Sequence, residues 1–156
     1  MTKELSGRVA IVTGAGRNIG RAIALALADA GAAVVVNARS NLKEAEAVAG
    51  EIERGGGKAL AVTADVADAD AVATMVAAAA SRFGRIDILV NNAAVRVEQA
   101  LETMTLADWR AVTGVILDGA FNCVKACLPH LKQSGARRRY ARRGRRCSRS
   151  RPRRSA

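Results

Sequence analysis

Three features predict an α/β chain built on a doubly wound parallel sheet. Short runs rich in Val, Ile and Ala alternate with longer segments of helical period. The strand-like runs are apolar throughout, as expected of strands covered on both faces. Turn signals, mostly glycines, separate the two kinds of segment.

The elements come in order along the chain. "RVAIVT" (8–13) reads as a buried strand, and "NIGRAIALALADAG" (18–31) as an Ala/Leu helix closed by Gly31. "AAVVVNA" (32–38) is a second strand, and "NLKEAEAVAGEIERGGG" (41–57) an amphipathic helix ended by glycines. "KALAVTAD" (58–65) is a third strand, followed by a helix with an acidic first turn over 68–84. "IDILVNNAA" (86–94) supplies a fourth strand and its loop. Residues 105–135 read as one long helix, with Thr105 as N-cap and Asp108 suited to its first turn. Right-handed crossovers then give the strand order 3-2-1-4, with the fourth strand at an edge.

The formal charge of +11 resembles that of a nucleic-acid binder, but its location argues otherwise. Residues 137–156 hold 11 arginines and no acid, so the remaining 14 basic residues balance 14 acidic ones over 1–136. The first segment is therefore expected to be the globular domain. The second, without an apolar face of either period, is expected to be a disordered tail. Charge, periodicity and composition all change at one point. Arg, Gly, Ser, Pro and Ala are what a GC-rich coding region yields out of frame. Residues 137–156 are read here as such a segment, which translation of the other two frames after codon 136 checks. A non-specific contact of this tail with nucleic acid or an acidic surface is the alternative.

No run approaches the ~18 apolar residues of a membrane span, and no secretory leader is visible. Cys123, Cys127 and Cys147 form no disulfide framework. With His130 they lack the spacing and number of a metal site, and no metal ligand is assigned. Free core thiols and a cytoplasmic location are expected.

The turn "TGAGRNIG" (13–20) lies between the first strand and the first helix. Gly14, Gly16 and Gly20 are small enough for backbone to approach a pyrophosphate, with Arg17, Asn18 and Ile19 completing the cradle at a helix N-terminus. Asn18 occupies a place where glycine is expected, and Asn tolerates left-handed backbone better than most residues. The turn resembles the T-G-x-x-x-G-x-G motif of the short-chain dehydrogenase/reductase family. Ala64, Asp65 and Val66 resemble that family's adenine-holding segment. "NNAA" at 91–94, with Asn92, Ala93 and Ala94, resembles its N-N-A-G, and "DGAFNCVKACLPHL" resembles its dimer-forming helix. The resemblance runs to about residue 135. It implies a Rossmann-like fold, here truncated after about four strands, hydride transfer between a nicotinamide cofactor and a carbonyl or hydroxyl group, and a homodimer through residues 105–134.

The end of the second strand selects the cofactor. An acid there would bond the ribose 2′-hydroxyl of NAD(H). Ala38 stands in that place, Arg39 comes next, and Arg17 lies in the facing turn. Two guanidiniums suit a 2′-phosphate, so NADP(H) is expected over NAD(H).

The resemblance also implies a catalytic Tyr with a Lys four residues on, an upstream Ser and a helix Asn. A Tyr of ordinary pKa near 10 needs such a cation to act near neutrality. The only tyrosine, Tyr140, has Gly144 four residues on, and Ile116 stands at the helix-Asn position. Ser134 precedes the place of the serine strand, and Asn122 lies on another helix face. No catalytic residue is assigned. The chain is expected to bind NADP(H) without turnover, either as an incomplete reductase or as a cofactor sensor.

Overall fold

The structure is a computed structural model that describes residues 3–134. The residues from 135 onward, including Tyr140, Cys147 and the Arg-rich run, lie outside the described part. Strand β1 (Val9–Val12) pairs in parallel with β2 (Ala33–Ala38) and with β4 (Ile88–Val90), and β2 pairs with β3 (Lys58–Thr63). The order is β3-β2-β1-β4, as the crossover rule predicts.

Successive strand residues point to opposite faces, and each face builds its own core. Val12, Val34 and Val36 pack on α1 (Asn18–Asp29) and α2 (Leu42–Arg54) through Ala24, Ala28, Ala45, Val48 and Ile52. Ile11 and Val35 point the other way, onto α3 (Ala69–Phe83) and the last helix through Val72, Met75, Cys123 and Cys127. Alanines on α1 bring that helix close to the sheet. Each fully buried Val or Ile contributes about 1.5–3 kcal/mol of transfer free energy. β1 and β2 are buried, whereas the three residues of β4 are only half-buried, because β4 has a partner on one side alone among the described residues.

Local chemistry sets the helix starts. The Asn41 side chain accepts from Glu44 N at 3.4 Å, and Asp68 Oδ1 accepts from Asp70 N and Ala71 N at 2.9 and 3.2 Å. Thr105 and Asp108 form a reciprocal capping box at the start of α4 (Leu106–Thr113), where each such cap contributes about 1 kcal/mol.

The long helix differs from the expectation in one respect. Between α4 and α5 (Gly119–Gln133) lies a π turn, Gly114–Asp118, in which Gly119 N donates to the Gly114 carbonyl. The extra residue rotates α5 relative to α4 and sets Gly119 against Val66, where a Cβ would come within 2.6 Å of Val66 Cγ2. Cys123 and Cys127 turn inward as expected, and both are free. Burial pushes the Cys123 thiol up to about 11; burial and the neighbouring Cys123 push Cys127 up to about 12. The outward face carries Leu117, Phe121, Val124 and Leu128. The 28 residues from Leu106 to Gln133 contain a window of mean hydropathy 1.4, apolar and long enough by composition alone to cross a membrane. Uninterrupted apolar runs point to no such segment, because Asp118 and Lys125 break the row without lowering the average enough.

Asp87 joins β1 to the β4 entry. Its side chain is 3% exposed and accepts from Arg8 Nη1 at 2.9 Å, Val9 N at 2.9 Å and Arg85 Nε at 2.8 Å. Burial alone would raise its pKa. The hydrogen bonds from Arg85, Arg8 and Val9, with the Arg85 charge, outweigh burial and hold the carboxyl below its ordinary value. A carboxyl depressed in the folded state stabilises fully above its unfolded pKa, about 3.9, and loses that contribution as pH falls through the folded value. Asp87→Asn is expected to lower stability at pH 7 by about 1–2 kcal/mol and to narrow the gap from wild type below about pH 4. Urea denaturation at both pH values checks this, and a gap that does not narrow with acid counts against it.

Candidate functional site

The carboxyl ends of β1, β2 and β3 and the loop after β4 enclose a cleft of about 460 Å³. All the residues expected from the sequence meet there: Gly14, Gly16, Arg17, Asn18, Ile19 and Gly20 from the β1–α1 turn, Arg39 after β2, Asp65 and Val66 after β3, and Asn92, Ala93 and Ala94 after β4. Ile19 lines the cleft and is 71% exposed.

The turn geometry is set by its glycines and by Asn18. Gly14 has φ +61°, and Asn18 takes left-handed backbone at φ +50°, the conformation that its residue type tolerates. A Cβ on Gly14 would lie 3.0 Å from Ala93 Cα, and one on Gly20 would overlap the Gly14 carbonyl and lie 2.5 Å from Asn92 Nδ2. Only glycine lets α1 start this close to the strand ends. No side chain caps α1, in contrast to α2, α3 and α4. Its first N–H groups are therefore left for another acceptor in the cleft. Donors without a side-chain cap at the positive end of a helix, in a cleft that Arg17 and Arg39 also line, are suited to an anion.

Three polar side chains hold this cradle, and two of them, Thr13 and Asn37, were not singled out from the sequence. Thr13, 1% exposed, accepts through Oγ1 from Asn92 N and Ala93 N, both at 3.0 Å, and donates to the Val90 carbonyl at 3.3 Å. Asn92 Nδ2 donates back to the carbonyls of Thr13 and Gly14 at 2.9 and 3.1 Å. Asn37, also 1% exposed, accepts from Gly14 N at 3.3 Å and donates to the Ala38 and Ala64 carbonyls at 3.2 and 3.1 Å. Each is a polar residue at or near the end of an apolar strand run. That pattern is the signal that could have found them, since a buried polar group must be paired.

On the adenine side expected from the sequence, Asp65 Oδ1 accepts from Ala67 N at 3.0 Å and so shapes its own loop. Asn122, to which the sequence assigns no role, donates from α5 to the Val66 carbonyl at 3.1 Å and steadies the same loop. Ile116 lines a second cavity of about 170 Å³ with Thr13, Asn92 and Ala94; its side chain offers no donor or acceptor. His130 is half-buried. No group of three His, Cys, Asp or Glu side chains is placed to hold a metal among the described residues.

Comparison with known proteins matches this arrangement. The family model for short chain dehydrogenase matches residues 8–138. The 3-oxoacyl-[acyl-carrier-protein] reductase of Synechocystis is 48% identical over 122 residues, which cover 78% of this chain and 49% of that one. The FabG reductase of Staphylococcus aureus is 43% identical over 129 residues, 81% of this chain and 52% of its own. A dehydrogenase/reductase from Sinorhizobium meliloti superposes with a TM-score of 0.81 at 38% identity, over 83% of this chain and 52% of its own. The chain spans about half the length of these relatives.

Two substitutions test the cradle. Thr13→Val leaves the Asn92 and Ala93 N–H groups without their acceptor and is expected to cost about 1–3 kcal/mol. Gly20→Ala forces the turn away from Asn92 and is expected to cost at least as much through overpacking. Urea midpoints read both, and a wild-type midpoint in either variant contradicts this account.

Proposed function

Because this chain belongs to the short chain dehydrogenase family of oxidoreductases, we propose that its cleft binds NADP(H) in preference to NAD(H). The supporting observation is the end of β2. Ala38 stands where a carboxylate would choose NAD(H), and Arg39 and Arg17 both line the cleft. Guanidiniums match a phosphate by shape and charge. The glycine cradle and the uncapped α1 suit the pyrophosphate, Asp65 and Val66 the adenine, and Asn92, Ala93 and Ala94 the nicotinamide side. When bound, the cofactor supplies hydride chemistry at a carbonyl or hydroxyl group.

The 156 residues by themselves are proposed to bind without turnover. Their one tyrosine has no lysine four residues on, and apolar Ile116 stands where the family resemblance implies a helix Asn. Self-association is assigned to residues 105–134, whose outward face carries Trp109, Leu117, Phe121 and Val124. A second copy placing the same face opposite would remove that surface from water, which accounts for the apolar helix without a membrane. The buried free thiols fit a reducing cytoplasm. The alternative reading of residues 137–156, with their 11 arginines, is a salt-sensitive contact with nucleic acid or an acidic surface, without base readout.

Fluorescence titration is expected to give tighter binding of NADPH than NADH. Arg39→Ala should weaken NADPH about tenfold, the loss of one charge-assisted contact, and leave NADH little changed. Tighter NADH binding overturns the assignment. Light scattering should give a dimer, and a clean monomer removes the interface. RNA binding that survives deletion of residues 137–156 removes the alternative reading of the tail.

A further inference from the structure

A carboxylate lines the same cleft as the two arginines. Glu44 is the third residue of α2 and lines the cleft with Gly16, Arg17, Arg39, Ser40 and Asn41. The Asn41 cap fixes its backbone by accepting from Glu44 N. The side chain folds against the phosphate turn: a Cβ on Gly16 would lie 3.1 Å from Glu44 Cβ and 3.3 Å from Glu44 Oε2. Gly16 therefore admits this carboxylate to the cleft wall.

The charges here are not spent on one another. The ion pairs among the described residues are Arg8–Asp87, Arg21–Glu51, Arg85–Asp87 and Arg96–Glu98. None of them uses Arg17, Arg39 or Glu44. Two cations and one anion thus line one cleft outside the ion pairs of the described residues. A first-turn acid gains from the α2 dipole whatever the cleft holds, so a structural reason for Glu44 exists. That reason does not require the carboxylate to lie on the Gly16 face.

We propose that Glu44 is a specificity-determining residue that opposes the 2′-phosphate and so limits the preference for NADPH over NADH set by Arg17 and Arg39. This rests on the NADP(H) assignment above. A phosphate entering beside the arginines also meets a like charge, which costs affinity in a cleft of intermediate dielectric. NADH carries no phosphate there and escapes that cost. Screening by salt should weaken the effect.

The test is binding of NADPH and of NADH to wild type, Glu44→Gln, Arg39→Ala and the control Glu51→Gln, read by fluorescence at low and high salt. Gln keeps the side-chain length and its capping capacity. Glu51 lies further along the same helix, paired with Arg21. The expected result is that Glu44→Gln tightens NADPH about three- to tenfold at low salt and less at high salt, with NADH within about twofold, a tenfold change being about 1.4 kcal/mol. Glu51→Gln should move neither cofactor. Unchanged NADPH binding in Glu44→Gln, or an equal shift in Glu51→Gln, overturns the role of Glu44. A wild type that prefers NADH, with Arg39→Ala without effect, instead overturns the NADP(H) assignment.

Discussion

The β1–α1 turn is held by buried hydrogen bonds from Thr13, Asn37 and Asn92, and most of the site inherits its position from them. Asn37 ties the turn to β2 and to the end of β3, while Thr13 and Asn92 tie it to the segment after β4. Four stretches of chain distant in sequence thus meet through side chains that are largely withdrawn from water. A polar group in that position destabilises strongly if left unpaired. No buried side-chain nitrogen or oxygen lacks a partner among the described residues. The strand ends therefore have one register in which all the bonds close. The cleft is a consequence of that closure, with the glycines allowing the backbones to approach.

The two sides of the sheet are finished to different degrees. On one, α1 and α2 cover the strands and bury a continuous aliphatic cluster. On the other, α3 and α5 meet the sheet through small and sulfur-bearing side chains, and the outer surface of the long helix stays apolar. β4 is short, half-buried and at the edge. Edges and apolar helix faces of this kind are normally covered in a stable molecule. The relatives are about twice as long.

Much of this was legible in residues that act locally. The continuous apolar runs identify the strands, and the crossover rule orders them. Thr105 and Asp108 announce the start of α4, and Asn18 announces its own left-handed backbone. What escaped were relations across the chain. Thr13 and Asn37 read as strand-end residues until their partners at residues 64, 90, 92 and 93 are known. Glu44 reads as an ordinary first-turn acid, because nothing nearby in sequence says that Gly16 faces it. Asn122 is more than fifty positions from the loop that it steadies. The π turn at Gly114–Asp118 was hidden because the amino-acid pattern over 105–135 reads as helical throughout; the register change concerns hydrogen bonding and leaves residue type unmarked.

Asn18 carries a further consequence. At φ +50° it sits where glycine would be unstrained, but a glycine there would also leave the chain free to explore many other angles. An asparagine that reaches the same angle has fewer alternatives, so less conformational freedom is lost when the turn is ordered. The cradle is then shaped before anything enters it. For the proposed cofactor, binding energy that would otherwise go into ordering the loop would remain available as affinity. A departure from a glycine pattern, which at first looks like damage, amounts to preorganisation.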